Sequence, residues 1–315
     1  MKSLSFVIPA YNEAENIMAA IEKIDAAFSG ADSDLRFIFV DDGSTDGTWR
    51  EIERISKTDA RVCGLSFSRN FGKEAAIFAG LSLADGDACI VMDSDLQHPP
   101  ETARRMYELW RENPHIEIVE GIKRSRGEET FGSKLFAKVF YRFFNRTTDL
   151  DLTGSSDFKL LSRIAVEELL RLPERFTFFR ALSNWIGFET AQVEFDVEPR
   201  KSGETKWPFF KLLKYGVNSV SSFSSAPMQI VTVCGFIFLI FTVILAVQTL
   251  VRFFMGQSLE GFTTVILILL FSGSIIMLSL GIIGYYVSRI YDEIKRRPRY
   301  IVARRVNADE KRDII

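Results

Sequence analysis

The chain has 315 residues, enough for one large domain or two moderate ones. A formal net charge of −2, from 39 basic and 41 acidic residues, argues against a general nucleic-acid binder. The three cysteines, Cys63, Cys89 and Cys234, have no metal-ligand spacing and read as buried free thiols, the first two in strands of a protein kept in a reducing compartment.

Residues 4–9 form a β-rich run ending in proline, so close to the start that no cleavable signal peptide is expected. A loop through Tyr11 follows, then a helix is expected over 13–28 and a second strand over 36–40. That strand ends in Asp41-Asp42-Gly43-Ser44-Thr45-Asp46-Gly47, a turn-rich segment in which Asp46 reads as a cap for the helix that runs to Ile55. A third strand over 61–67 leads through Ser68-Arg69-Asn70-Phe71-Gly72-Lys73 into a helix over 74–83. A fourth strand, 88–92, stops at Asp93, and Pro100 opens a helix over 100–112 before a fifth strand at 116–119. Strand and helix alternate four times, which predicts an α/β fold with a mostly parallel sheet and helices on both faces.

Polar residues recur at the carboxyl ends of these strands: Asp41 and Asp42, Arg69 and Asn70, Asp93 and Asp95. Ligands of open α/β sheets bind at that edge. If strand geometry persists past Met92, Asp93 and Asp95 share a face and approach one hard cation. Magnesium and manganese favour such oxygen ligands and complete their shells with substrate phosphates. An isolated Asp-X-Asp is more often a solvated turn, but three clusters bound for one edge make a site. His98 reads as a neighbour of the site or a solvent-facing residue. The first strand is not followed by Gly-X-Gly-X-X-Gly, and the chain has no Gly-X4-Gly-Lys-Ser/Thr, so dinucleotide redox chemistry and P-loop hydrolysis are disfavoured.

The chain turns basic at Lys123, Arg124 and Arg126, and residues 131–146 then carry phenylalanines at helical spacing beside Lys134, Lys138, Arg142 and Arg146. This pattern predicts an amphipathic helix lying in the headgroup layer. A small-residue turn at 154–156 presents Asp157 ahead of a helix starting near Arg163. The Gly-containing basic loop 199–207 reads as a lid, with Arg200 and Lys206 as phosphate contacts. Aromatics from Trp207 to Tyr215 interleave with lysines as a second interfacial helix. Residues 228–251 and 262–288 hold no charge, and each stretch exceeds the ~20 residues that cross a bilayer. Basic residues flank both spans, while the connection carries only Arg252 and Glu260, so both termini are expected in the cytoplasm. The expected organisation is a catalytic domain over 1–200, a lid and interfacial helix over 201–227, a transmembrane hairpin over 228–288 and a basic cytoplasmic tail over 289–315.

The runs Val7-Ile8-Pro9-Ala10-Tyr11-Asn12-Glu13, Asp41-Asp42-Gly43-Ser44-Thr45-Asp46-Gly47-Thr48 and Asp93-Ser94-Asp95-Leu96-Gln97 are similar to the signatures of the inverting GT-A (Rossmann-like) glycosyltransferases of family two. Residues 95–101 and 68–74, with the two spans, resemble the polyprenyl-phosphate members of that family, of the bactoprenol glucosyltransferase and dolichol-phosphate mannose synthase type. The resemblance implies that Pro9, Tyr11 and Glu13 line the nucleotide base and ribose, and that Asp41 or Asp42 hydrogen-bonds the uracil or ribose. Asp93 would contact the sugar or ribose. Asp95, with Asp93, would hold Mg2+ or Mn2+ on the diphosphate, and Gln97 would lie beside it. Asp157 would be the acceptor-side catalytic aspartate, with Arg124, Ser133 and Lys134 on the acceptor phosphate. The implied partners are a nucleotide sugar, UDP-glucose first, and a polyprenyl (undecaprenyl) phosphate at the cytoplasmic face of the inner membrane. No nucleic acid is implied, and a homo-oligomer is admitted. The same chemistry with GDP-mannose or another UDP-sugar is the nearest alternative, and a non-catalytic nucleotide-sugar sensor is a more distant one. A processive synthase is disfavoured, because two spans are too few for a channel and no Gln-X-X-Arg-Trp is present.

Overall fold

The computed structural model describes residues 2–95, 97–124, 154–174, 177–196, 226–256 and 261–308. The chain forms two units, Met1–Trp207 with Arg297–Ile315, and Pro208–Arg296. Alternation along the first strands sets the layers of the first unit. In β1 (Lys2–Ala10), Leu4, Phe6 and Ile8 join one apolar cluster with Phe37 and Phe39 of β2 (Ser33–Asp41). Helices α1 (Asn16–Ala27), α2 (Thr48–Ser56) and α4 (Pro100–Glu112) cover that face. Val7 and Val40 point the other way, toward α3 (Lys73–Leu83), whose Gly80 leaves no room for a Cβ against Val7. Both faces are therefore dry, as buried parallel strands require. Phe6 packs edge-on against Phe28 at 5.3 Å and beside Phe37 at 5.9 Å. Burying a phenylalanine this way contributes about 1.5–3 kcal/mol.

With β3 (Val62–Phe67), β4 (Ala88–Val91), β5 (Ile118–Lys123), β6 (Lys159–Ser162), β7 (Thr190–Phe195) and β8 (Val302–Val306), the sheet order is β7-β5-β6-β4-β1-β2-β3-β8. The expected core is present, because β4, β1, β2 and β3 run parallel. The rest departs from the sequence pattern. β5 lies two residues later than expected. β6 inserts antiparallel between β4 and β5 and carries a charge into the interior. Lys159 is 0 % exposed and meets Glu120 of β5 at 2.9 Å, so a buried ion pair makes a lysine-containing segment a central strand. α5 (Arg163–Arg171) follows directly, its first turn capped by Ser162, whose Oγ accepts from Ala165 N at 3.2 Å. α6 (Phe179–Trp185) precedes β7.

The segment 289–315, expected as a basic tail, is instead shared out. Its first residues complete α8 (Phe262–Ile294), and Val302–Val306 is an antiparallel strand on β3. Arg304 and Arg305 disguise a short strand, begun and ended by Val302 and Val306, that covers an otherwise open edge of the sheet. Tyr300 stacks on Phe67 at 4.9 Å, Ser68 N donates to the Ile301 carbonyl, and Asn307 Nδ2 donates to the carbonyls of Ser56 and Val62.

The second unit is the pair α7 (Ala226–Phe254) and α8. Val231–Arg252 and Ile268–Ile294 are long and apolar enough to cross a membrane, and neither window is buried within the protein. Hydroxyls of Thr232, Thr242, Ser274 and Ser279 donate to carbonyls one turn back, so their polar hydrogens are satisfied within their own helix. Cys63 and Cys89 are buried free thiols as expected, but Cys234 is exposed on α7. The expected interfacial helices at 131–146 and 207–215 and the loop 199–207 lie outside the described residues.

Candidate active site

The chain winds outward from β1 through β2 to β3, then crosses to the other side of β1 for β4. The gap between the carboxyl ends of β1 and β4 is therefore the topological switch point, where the loops after adjacent strands diverge and leave a crevice. Tyr11 follows β1 there and Asp93 follows β4. Pro9 is buried in β1 opposite Val40. Tyr11 is 46 % exposed, a ring presented to solvent rather than a packing aromatic.

The loops on the β2 side are laced together by their polar residues. Asn12 sits at φ 57, its N–H donating to Ser44 Oγ and its Oδ1 accepting from Thr45 N, each at 2.9 Å. Glu13 N donates to Thr48 Oγ1. Asp46 accepts from Thr48 N at 2.9 Å and from Ala14 N at 3.3 Å; the cap of α2 is Gly47, so Asp46, expected as the cap, lies one residue before it and ties the turn to the loop after β1. Asp41 is buried and accepts from Ser44 N and Ser66 Oγ. Asp42 accepts from Phe71 N at 2.7 Å and Gly72 N at 2.9 Å, fixing the loop after β3. Burial pushes the Asp42 carboxyl up to about 6, against the pull of those two N–H groups. The same loop passes so close that a Cβ on Gly43 would lie 2.4 Å from the Arg69 carbonyl carbon. The two aspartates expected to meet the nucleotide are thus seen to tie together the loops after β2 and β3.

The strand geometry expected of Asp93 and Asp95 does not persist. β4 ends at Val91 and the carboxylates lie in the turn beyond, both half-buried. Asp95 Oδ1 accepts from Gln97 N at 3.1 Å, and Gln97 is half-buried beside it. Asp93 Oδ1 meets Lys73 Nζ at 2.6 Å, and Asp93 N donates to His98 Nδ1 at 3.1 Å. His98 is not solvent-facing. It stacks on Phe158 at 4.6 Å, and burial lowers its pKa to about 4, so it is a neutral imidazole with its proton on Nε2.

Across the sheet, Asp157 is 6 % exposed in the turn before β6. Lys73 Nζ reaches its Oδ2 at 2.8 Å, and Arg180 of α6 grips it with Nε on Oδ1 at 2.6 Å and Nη2 on Oδ2 at 3.0 Å. Burial would raise this carboxyl, but Arg180 and Lys73 hold it well below the ordinary range. Burial likewise opposes ionisation of Asp93, and Lys73 overturns it. Lys123 also faces this centre, and burial with nearby Arg180 lowers its pKa. Glu74 is pushed up to about 7 by burial and by Asp157, although its Oε2 accepts from Phe179 N at 2.9 Å. The Asp157 turn is itself fixed: Ser155 Oγ donates to Glu120, and Ser156 Oγ donates to the Gly121 carbonyl at 2.6 Å.

Four members of this centre, Lys73, Glu74, Lys123 and Arg180, were given no role on sequence. Lys73 and Glu74 lie within the 68–74 run that carries the resemblance, and that run was the available signal; Arg180, between Phe179 and Ala181, offers none. Arg124 does not join the centre. It is exposed and pairs with Glu194 at 3.1 Å, while its neighbour Lys123 turns inward. Ser133, Lys134, Arg200 and Lys206 lie outside the described residues.

Comparison with known proteins places these features in a family. Residues 5–170 match the description of Glycosyl transferase family 2. The chain is 37 % identical over 98 % of its length to the uncharacterized glycosyltransferase YkcC of Bacillus subtilis (strain 168), covering 95 % of that protein. It is 33 % identical over 96 % of its length to the prophage bactoprenol glucosyl transferase homolog of Escherichia coli (strain K12), covering 98 % of it. Among solved structures, glucosyl-3-phosphoglycerate synthase from Mycobacterium tuberculosis, in complex with Mn2+, UDP-glucose and phosphoglyceric acid, superposes with a TM-score of 0.52 at 21 % identity. That match covers 70 % of this chain and 77 % of the synthase, and shows a shared GT-A-like α/β fold.

Proposed function

This chain belongs to glycosyl transferase family 2, and from that premise we propose that it moves glucose from UDP-glucose onto a polyprenyl phosphate, undecaprenyl phosphate, with inversion at the anomeric carbon. In this reading α7 and α8 span the inner membrane and the catalytic unit works at its cytoplasmic face. The observation that carries the choice of acceptor is the state of Asp157. A carboxylate gripped by Arg180 and Lys73 is a poor proton acceptor. A sugar hydroxyl would need a base, whereas a phosphate monoester, with a second pKa of about 6, already arrives largely ionised. Two cations in contact with Asp157, with Lys123 nearby, also suit a dianionic headgroup.

The acceptor phosphate oxygen attacks the anomeric carbon from the face opposite the nucleotide. The bond from that carbon to UDP breaks as the new carbon–oxygen bond forms, and negative charge passes from the lipid phosphate to UDP without a proton changing hands. Tyr11, exposed beside the crevice, is the platform for the uracil, with Pro9, Glu13, Asp41 and Asp42 around base and ribose. Asp93 and Gln97 face the donor sugar, and Arg200 and Lys206 meet the diphosphate. Lys123, in place of the outward-facing Arg124, joins Ser133 and Lys134 on the acceptor side. Holding the reactants in line and matching the moving charge supply most of the acceleration.

The residues at the end of β4 fit a divalent ion of the kind held by one or two carboxylates plus substrate phosphates. Asp95 offers a hard, half-buried carboxylate in the turn after β4, and Asp93 lies in the same turn. Among the described residues there is no group of three or more His, Cys, Asp or Glu side chains placed to hold an ion, and the donor diphosphate would supply further oxygen ligands. Bound there, Mg2+ or Mn2+ would stabilise the departing UDP.

Purified full-length protein, radiolabelled UDP-glucose and undecaprenyl phosphate, with Mn2+ or with chelator, test the reading. Label should enter the organic phase only with metal present. Transfer that survives chelation defeats the metal assignment, and label moving from GDP-mannose but not UDP-glucose defeats the donor assignment.

A further inference from the structure

Lys73 touches carboxylates of both halves of the centre. Its Nζ lies 2.6 Å from Asp93 Oδ1 and 2.8 Å from Asp157 Oδ2. The two carboxylates arrive by separate routes, one after β4 at the switch point and the other in the turn before β6. An ammonium with three freely rotating donors can serve acceptors on different elements, where a carboxylate pair alone would repel. The lysine itself is firmly placed. It opens α3 directly after Gly72, whose φ is 101 and whose N–H is held by Asp42. Its neighbour Glu74 takes the N–H of Phe179, the first residue of α6, so that Arg180 reaches Asp157 from the opposite side. The adjacent residues 73 and 74 thus fix Asp157 twice, once directly and once through α6.

We propose that Lys73 is a positioning residue that ties the donor half of the centre to the acceptor half by holding Asp93 and Asp157 on a single ammonium. This rests on the transfer reading above: with Asp93 toward the nucleotide sugar and Asp157 toward the lipid phosphate, the spacing of the two carboxylates sets the gap that the attacking oxygen must close. Lys123 and Arg180 supply positive charge to the same space, Arg180 through its contact with Asp157.

The test uses full-length protein with Lys73→Met, Lys73→Arg, Asp93→Asn and Asp157→Asn, and the double variants of Lys73→Met with each aspartate change. Lys73→Met should lose about 100-fold in kcat for transfer to undecaprenyl phosphate, the scale of a small misplacement of reacting groups. Its KM for UDP-glucose should move by less than about threefold, because the donor contacts remain. Lys73→Arg should recover at least about tenfold of the loss, since a guanidinium can also reach two carboxylates. Melting temperatures should be non-additive in both cycles, each double variant melting no lower than its less stable single variant. If Lys73→Met does not fold, Lys73→Gln takes its place in every measurement. Transfer by the Lys73→Met protein within about twofold of wild type overturns the proposal, as does additive melting in either cycle. The melting cycles need no turnover. A wild type inactive with every donor but non-additive in both cycles refutes the transfer reading and supports the bridge, whereas an active wild type with additive cycles refutes the bridge and leaves transfer standing.

Discussion

The two units of this protein solve opposite problems with polar groups. The catalytic unit takes charges inside and pairs them: Lys159 with Glu120, Asp157 with Lys73 and Arg180, and Asp93 with Lys73. The hairpin has no charged residue over 228–251 or 262–288, closes its hydroxyls on its own backbone and leaves Phe236, Ile240, Leu269 and Leu278 more than half exposed. In water the first arrangement is stable because each buried charge has a partner, and the second is unfavourable because a broad apolar surface stays wet. The difference shows where specificity is kept. The paired charges fix unique distances in one unit, and the apolar helices of the other need only length and composition.

Changes that invert each solution sharpen this contrast, beginning with the largest. Asp95→Asn keeps the shape of the β4 turn but removes the carboxylate assigned to the divalent ion. Transfer should fall about 1,000-fold, while membrane association stays at the wild-type level. Retained turnover in a steady-state assay would remove Asp95 from the centre. Ile276→Arg puts a charge in the middle of α8, where it costs about 2.5–3.5 kcal/mol of insertion free energy. The protein should shift from the carbonate-resistant membrane fraction toward the soluble or aggregated fractions. An unchanged distribution would mean that α8 does not lie in lipid.

Glu74→Gln probes the charge economy of the catalytic unit through pH. The Glu74 carboxyl is raised to about 7 in the folded protein, so its contribution to stability is complete below its unfolded value and is lost as pH rises through about 7. Asp42, raised to about 6, acts in the same direction. Asp93 and Asp157, both lowered, lose their contributions only in acid, outside this window. His98, lowered to about 4, acts the other way up to its ordinary value of 6.5, so the readout is a difference: between about pH 5 and 8 the wild type should lose several degrees of melting temperature relative to Glu74→Gln. A variant with the wild-type slope would place the titration elsewhere. The smallest change, Ser162→Ala, removes the cap of α5 and should cost about 1 kcal/mol, a fall in melting temperature of about 2–4 °C. Calorimetry of the two proteins checks it.

Much of this was legible before any coordinates. Apolar runs ending in acidic clusters located β2 and β4, and one ending in proline located β1, because a parallel strand buried on both faces must be continuous and can turn polar only where it leaves the sheet. The same rule brought Tyr11, Asp41, Asp42, Asp93 and Asp95 to one edge. Asp157 was found through its small-residue turn and the family resemblance. Its partners were not, because Lys73 and Arg180 reach it over 84 and 23 residues, and an ion pair between distant elements leaves no periodicity to read. β6 and β8 escaped for a related reason. Each is short, antiparallel and charged, and each is a strand only because Glu120 neutralises Lys159 or because β3 offers an edge to pair with. The turn at Asp93 shows the reverse failure. A period of two extended past Val91 assumes a strand, and the chain had already left the sheet.

The position of β8 after the hairpin sets an order of assembly. β3 is complete at Phe67, but the strand that closes its free edge begins only at Val302, beyond both long apolar helices. At ~5–20 residues per second of synthesis, that edge waits roughly 10–50 s for its partner. Throughout that interval a row of unsatisfied backbone groups is open to strangers, including the same strand on a neighbouring nascent chain. The final seal of the catalytic sheet is thus made only after both apolar helices, and a ribosome that stops short of it leaves a sheet with an adhesive rim.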